Sequence, residues 1–164
     1  MIICLYQICF VWRVKNIKIS VKSRYALSSL VYMGQNISNK DSITLLSLSE
    51  KLGISKIYLE QTFTLLRRSG IVSATKGAGG GYRLTRAPSR ISVFDILFAI
   101  ETSLFEKAES TVAGRDAHIE CAMNEAVFGV LDDSLKTVLS GISLEDVIDR
   151  ANQYRDSESY IYYL

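Results

Sequence analysis

Between Ser55 and Tyr82 the chain gathers Lys56, Glu60, Gln61, Arg67, Arg68 and Lys76, together with Gly77 and the triple Gly79-Gly80-Gly81. Cations, an amide and a bare glycine turn, with no nucleophile among them, suit contact with phosphates rather than turnover of a substrate. A nucleotide-binding P-loop is excluded, because no Lys-Ser/Thr pair follows and the glycines open a strand-like run rather than a helix. Elsewhere no Ser/His/Asp, Cys/His or paired-carboxylate arrangement stands out, and the single histidine, His118, leaves few catalytic routes. His118 and Cys121 stand three residues apart, but zinc asks for three or four ligands. The expectation is a non-enzyme with no metal and no cofactor; Cys121 as an oxidant sensor is a minor reading.

The elements that must position these residues are legible from spacing. Ser55 is expected to cap a helix in which Leu59, Phe63 and Leu66 recur on one face while Lys56, Glu60, Gln61, Arg67 and Arg68 stay polar. Gly70 stands where a left-handed residue would end it. IVSAT and GYRLT then read as short strands around the turn from Lys76 to Gly81. Upstream, Thr44 caps a short helix with Leu45, Leu48 and Leu52 on one face, and Gly53 turns the chain into Ser55. Helix, glycine turn, polar-faced helix and basic hairpin make a winged helix-turn-helix, whose second helix enters the major groove of DNA while the hairpin reaches an adjacent groove. Charge agrees. Residues 17–90 hold twelve Lys/Arg against three Asp/Glu, and residues 91–164 hold five against fourteen, so a basic half and an acidic half hide behind a net charge of +2.

Around this unit, Ser23 to Gln35 reads as a helix with Tyr25, Leu27, Leu30, Val31 and Gly34 on its inner surface, and Lys22 and Arg24 at its start are candidate phosphate contacts. Ser92 and Asp95 form a capping-box pattern ahead of Val93, Ile96, Leu97 and Ile100. Thr102 to Glu120 reads as a loop, and Cys121 to about Ser140 as an amphipathic helix with the stripe Met123, Val127, Val130, Leu131, Leu135 and Val138. Ser143 and Asp146 open a short helix with Val147 and Ile148, after which a polar run leads to Tyr160-Ile161-Tyr162-Tyr163-Leu164. The apolar run Ile2 to Trp12 is too short to span a bilayer and lacks the flanks of a signal peptide, so no membrane role is expected. At 164 residues the chain divides into an extension (1–16), a DNA-binding domain (17–90), a linking helix, loop and long helix (91–141), and a short helix with an aromatic tail (142–164).

The segments IKISVKSRYAL, LSEKLGIS, YLEQTFTLLRRSGIV, KGAGGGYRL and ISVFDILFAIE resemble the winged-helix transcriptional regulators that include IscR, NsrR and CymR. The resemblance runs from Ile17 to about Ile148 and is most specific in YLEQ followed by GGGY. It implies a mainly α fold with a small β-hairpin wing, acting in the cytoplasm as a homodimeric repressor on an inverted-repeat operator in double-stranded DNA. It implies DNA contacts from Lys22, Arg24, Ser55, Lys56, Tyr58, Glu60 and Gln61, and from the wing residues Lys76, Gly77, Gly79, Gly80, Gly81 and Tyr82. It implies dimerisation through Met123, Val127, Val130, Leu131 and Val138. Family members begin close to Ile17, so residues 1–16, with Cys4 and Cys9, read as an extension from an upstream-misassigned start, with a short membrane or partner anchor as the alternative. Part of the family holds an iron–sulfur cluster. Its three cysteine positions correspond here to Glu109, Arg115 and Cys121, its histidine ligand to Asn124, and the aspartate ligand of the nitric-oxide-sensing branch to Arg24. One thiolate does not hold a cluster. The chain therefore looks closest to the cluster-free branch of CymR, a repressor of cysteine and sulfur-assimilation genes whose partner is O-acetylserine thiol-lyase. The tail Tyr160, Ile161, Tyr162, Tyr163 and Leu164 would then bind that enzyme, the alternative being that it packs on its own dimer. The alternatives are a redox- or cluster-responsive regulator of the same family, and a protein-interaction module that keeps the fold without binding DNA.

Overall fold

A computed structural model describes residues 19–36, 42–77, 80–105 and 116–161. Helix α1 (Val21–Gln35) leads to α2 (Leu45–Leu52) and α3 (Lys56–Arg68), then to the hairpin of β1 (Val72–Thr75) and β2 (Gly81–Leu84). After a 3-10 turn at Pro88–Arg90 come α4 (Val93–Ile100), α5 (Ala117–Met123), a π-helical turn (Asn124–Phe128), α6 (Gly129–Ser140) and α7 (Leu144–Ile161). The result is the mainly helical, winged architecture that the sequence pattern implies.

Local chemistry sets the ends of these elements. The Ser20 hydroxyl accepts from the Ser23 N–H and caps α1, and Thr44 does the same for α2 through the Ser47 N–H at 3.1 Å. Gly53 and Gly70 end α2 and α3 with φ of 65° and 73°, a region that side chains with a Cβ rarely enter. Ser92–Asp95 and Ser143–Asp146 both form reciprocal capping boxes, as expected. Their caps lie side by side. Ser92 and Ser143 form an antiparallel bridge, with Val93 N–H donating to the Ile142 carbonyl and Leu144 N–H to that of Ile91. Helices α4 and α7 therefore start from one anchored point.

One core spans the fold. Leu30 of α1, Leu48 of α2, Leu59, Phe63 and Leu66 of α3, Ile71, Ile91, Ile96 of α4 and Leu144 of α7 are essentially free of solvent. Each such side chain contributes about 1.5–3 kcal/mol by leaving water. The inner face of α1 is not quite the expected one. Ser23, Ala26, Ser29, Leu30 and Met33 are its buried residues, while Leu27 and Val31 are half-buried and line an open groove with Arg24 and Val147. The small side chains let α3, α4 and α7 all pack on α1. At Gly34 the approach of α7 is closest: a Cβ there would sit 2.1 Å from Ile148 Cδ1.

The C-terminal half departs from the sequence expectation in three places. Its long helix starts at Ala117 rather than Cys121, and it contains a π turn in which the Gly129 N–H reaches the Asn124 carbonyl. A side chain at Gly129 would crowd that oxygen at 2.8 Å, so glycine permits the wider turn. The last helix is not short but runs 18 residues, so Tyr160 and Ile161 belong to it. Tyr162, Tyr163 and Leu164 lie outside the described residues, as do residues 1–16, Glu109 and Arg115.

Glu101, at the C-cap of α4, ties this half to the start of α1, accepting the Ser20 N–H at 2.7 Å. Burial raises its carboxyl pKa, but the Ser23 hydroxyl beside it and its hydrogen bonding to Ser20 outweigh this and hold it below the ordinary 4.5. A depressed folded-state pKa stabilises above the unfolded value and ceases to do so as pH falls through the folded one. Glu101→Gln should therefore lower stability near neutral pH by about 0.5–1 kcal/mol, a charge-assisted bond discounted for solvent screening. In thermal melts across acid pH, the gap to the parent should close as pH drops below 4.5; a constant gap would refute the charge argument.

Candidate nucleic-acid interface

Helix α3 buries Leu59, Thr62, Phe63 and Leu66 and turns the opposite face outward. That outer face carries Ile57, Gln61, Thr64 and Arg68 at i, i+4, i+7 and i+11, with Gln61 and Arg68 exposed and Thr64 half-buried. On one flank Lys56 and Glu60 form an exposed ion pair at 3.8 Å. On the other, the Tyr58 ring tilts against Tyr25 of α1 with centroids 5.9 Å apart. Lys22 of α1 comes beside Glu60, Gln61, Thr64 and Leu65, and together they line a shallow cleft of about 430 Å³. Arg67 and Arg68 close the helix, where cations suit its negative end.

Ser55 occupies the N-cap position of α3, but its side chain makes no capping bond, unlike Ser20, Thr44 and Ser92. The expected side-chain cap is absent, Ser55 is exposed, and the first-turn N–H groups of α3 lack that partner. Open N–H groups at a helix start are suited to a phosphate oxygen.

The wing is a four-pair hairpin from Val72↔Leu84 to Thr75↔Gly81. Ile43 adds a bridge on its far side, exchanging backbone hydrogen bonds with Tyr82 at 2.9 and 2.8 Å. Lys76 and Gly77 are exposed at the tip; Gly77 has φ +110° and its carbonyl accepts from the Gly80 N–H at 2.9 Å. Gly79 lies outside the described residues. The glycines serve the hairpin itself as well as its tip. A Cβ at Gly81 would meet the Ile43 carbonyl oxygen at 2.7 Å, and one at Gly80 the Thr75 oxygen at 2.7 Å. Tyr82 points inward, its ring edge-on to Phe63 at 4.8 Å, so it supports the interface from beneath. Sequence reasoning passed over Arg83, whose Nε donates to Ser73 Oγ on the exposed side of the hairpin. Alternation along β2 was the signal for it.

Arg24 is exposed on the first turns of α1. Met123 is half-buried, whereas Val127, Val130, Leu131 and Val138 are exposed, with Val130 at 56% and Val138 at 62%. Cys121 is a free, exposed thiol in the second turn of α5 rather than at a helix start, and His118 is exposed nearby. Asn124 donates its amide to Glu120. Among the described residues no group of three His, Cys, Asp or Glu side chains is placed to hold a metal, and no helix is long and apolar enough to cross a membrane.

The family model for "Rrf2: Iron-dependent Transcriptional regulator" matches residues 19–150. The chain belongs to the Rrf2 family. Among relatives, the transcriptional regulator IscR of Photorhabdus laumondii is 33% identical over 132 residues, covering 80% of this chain and 79% of that one. IscR of Escherichia coli is 32% identical over an equal span. In three dimensions the Rrf2 chain is similar to IscR of T. potens (TM-score 0.67, 30% identity, 90% of this chain and 98% of that one). It is also similar to CymR, the global cysteine regulator of B. subtilis (TM-score 0.66, 27% identity, 82% and 98%). These are regulators of transcription, a non-enzymatic family. The iron in the family's description meets a poor donor set here. Of the positions that would ligate a cluster, Cys121 is the one thiol, and Asn124 and Arg24 bring an amide and a cation. These residues do not fit an iron–sulfur cluster.

Gly81→Ala should displace the Ile43 backbone and lose both of its bonds to Tyr82, costing about 1–3 kcal/mol, as for overpacking in a core. Hydrogen exchange at the Ile43 and Tyr82 amides checks this; unchanged protection would show that the strand yields without loss.

Proposed function

We propose that this Rrf2-family regulator is a cytoplasmic repressor that grips duplex DNA with the outer face of α3 and the hairpin tip. The observation that carries the reading is the placement of Gln61 and Lys76. Gln61 is exposed at the middle of a helix face that the core holds outward, and Lys76 is exposed at the tip of the adjoining hairpin. Gln61 is suited to bidentate contact with adenine, and Lys76 to a narrow A·T minor groove. Lys22, Arg24, Lys56 and the open start of α3 would hold phosphates, while Tyr58 and Glu60 flank the reading face. Glu60 accepts from cytosine N4 and repels phosphate, which disfavours wrong sites. Electrophoretic shifts on a duplex selected from a random pool test this. Gln61→Ala should lose about 1–3 kcal/mol on the selected duplex and much less on random DNA. Lys76→Ala should weaken both and reduce the salt slope by about one. Binding that ignores salt would favour the interaction-module alternative.

The exposed stripe on α5 and α6 supports a homodimer, since apolar side chains in such number on one helix mark a contact. Two α3 helices related by a two-fold axis would read an inverted repeat. Regulation of cysteine and sulfur genes rests on the likeness to CymR and on the missing cluster ligands; the likeness to IscR supports an iron- or redox-responsive regulator instead, and visible absorption after anaerobic purification would favour it. On the cysteine reading, Tyr160 to Leu164 would engage O-acetylserine thiol-lyase. One sedimentation series examines assembly. The chain should run as a dimer, Val130→Asp as a monomer because an unpaired carboxylate at the seam loses its water, and the parent mixed with the enzyme as a heavier complex. A parent already monomeric at micromolar concentration sinks the dimer, and an unshifted mixture sinks the partner.

A further inference from the structure

The outer face of α3 is polar along most of its length, with Gln61, Thr64 and Arg68 on its midline. Its first member is not. Ile57 stands one turn before Gln61 on the same line and is 66% exposed, while its neighbours on both flanks are engaged, Tyr58 with Tyr25 and Lys56 with Glu60. It takes no part in the core cluster. A single exposed aliphatic residue is ordinary on a protein surface. This one occupies the N-terminal turn of the second helix of a helix-turn-helix, the turn that comes nearest to base edges. The major groove offers an isoleucine one apolar partner, the 5-methyl group of thymine.

We infer that Ile57 is a specificity-determining residue that reads a thymine in each half-site through its 5-methyl group. The inference rests on the DNA-binding reading above and adds the base chemistry that this position selects. Gln61, one turn further along the same line, would read the neighbouring part of the site, so an apolar contact and an amide contact follow each other along one helix face. Water leaves both the methyl and the isoleucine side chain when they meet, and nothing polar on Ile57 is left unpaired by the contact.

The test removes the methyl alone. Taking the duplex that the parent chain selects from a random pool, each thymine is replaced in turn by uracil, which keeps every hydrogen-bonding group. The parent should lose about fourfold in affinity at one thymine of each half-site, the worth of burying one methyl-sized group, and nothing at the others. Ile57→Ala, a change at an exposed side chain that leaves the fold and its melting temperature unaltered, should bind the thymine and uracil duplexes equally. A flat uracil scan by the parent, or the same uracil step retained in Ile57→Ala, overturns the inference while leaving DNA binding itself intact. Failure to select any duplex overturns both readings.

Discussion

The packing of Phe63 is the constraint on which the rest of the structure depends. Its side chain is wholly buried on α3, the helix that packs on α1, α4 and the hairpin, and the Tyr82 ring closes on it edge-on. With Leu59, Thr62 and Leu66 it fixes the rotation of α3 about its own axis. A helix with one face so held has no freedom in what it turns outward, and Ile57, Gln61, Thr64 and Arg68 are presented as a consequence. The same ring pair fixes the hairpin against α3, so the two parts of the interface keep one spacing.

A second set of contacts joins this unit to the acidic half. Glu101 holds the start of α1, Arg86 beyond the hairpin reaches Asp95 at 3.5 Å, and the paired caps of α4 and α7 share a backbone bridge. Each is modest, since exposed ion pairs contribute little singly. Together they run from the wing and from the first helix into α4, the helix on which α6 packs. An event at α5 and α6 therefore has a connected route of packed helices and hydrogen bonds toward the face that α3 presents.

Apolar surface is distributed unequally between the halves. The core around Phe63 is closed, whereas α5 and α6 carry large aliphatic side chains in the open, and Phe94 stacks on Phe98 along α4 while Phe105 beyond it meets Phe94 edge-on. The hydrophobic effect favours covering such a face. A winged helix that completes its own core without these residues has them to spare for assembly.

The sequence by itself determined the features that act within about four residues of chain. Thr44, Ser92–Asp95 and Ser143–Asp146 cap as their types and spacing require, and Gly53 and Gly70 are left-handed where α2 and α3 must stop. It also determined the buried stripe Leu59, Phe63, Leu66, hence the helix-turn-helix and most of the polar face of the candidate site. Tertiary structure decided the rest, because those features depend on what packs across from them. Ser55 leaves its cap unmade despite its type. Tyr82 looks like an outward wing residue until Phe63 is placed beneath it. Gly81 reads as turn flexibility, yet the Ile43 backbone is what forbids a side chain there. The small residues on α1 become its inner face only because three other helices crowd onto it. Ile57 escaped sequence reasoning for a related reason: an isoleucine counts as core by type, and only the rotation of α3 imposed by Phe63 turns it outward.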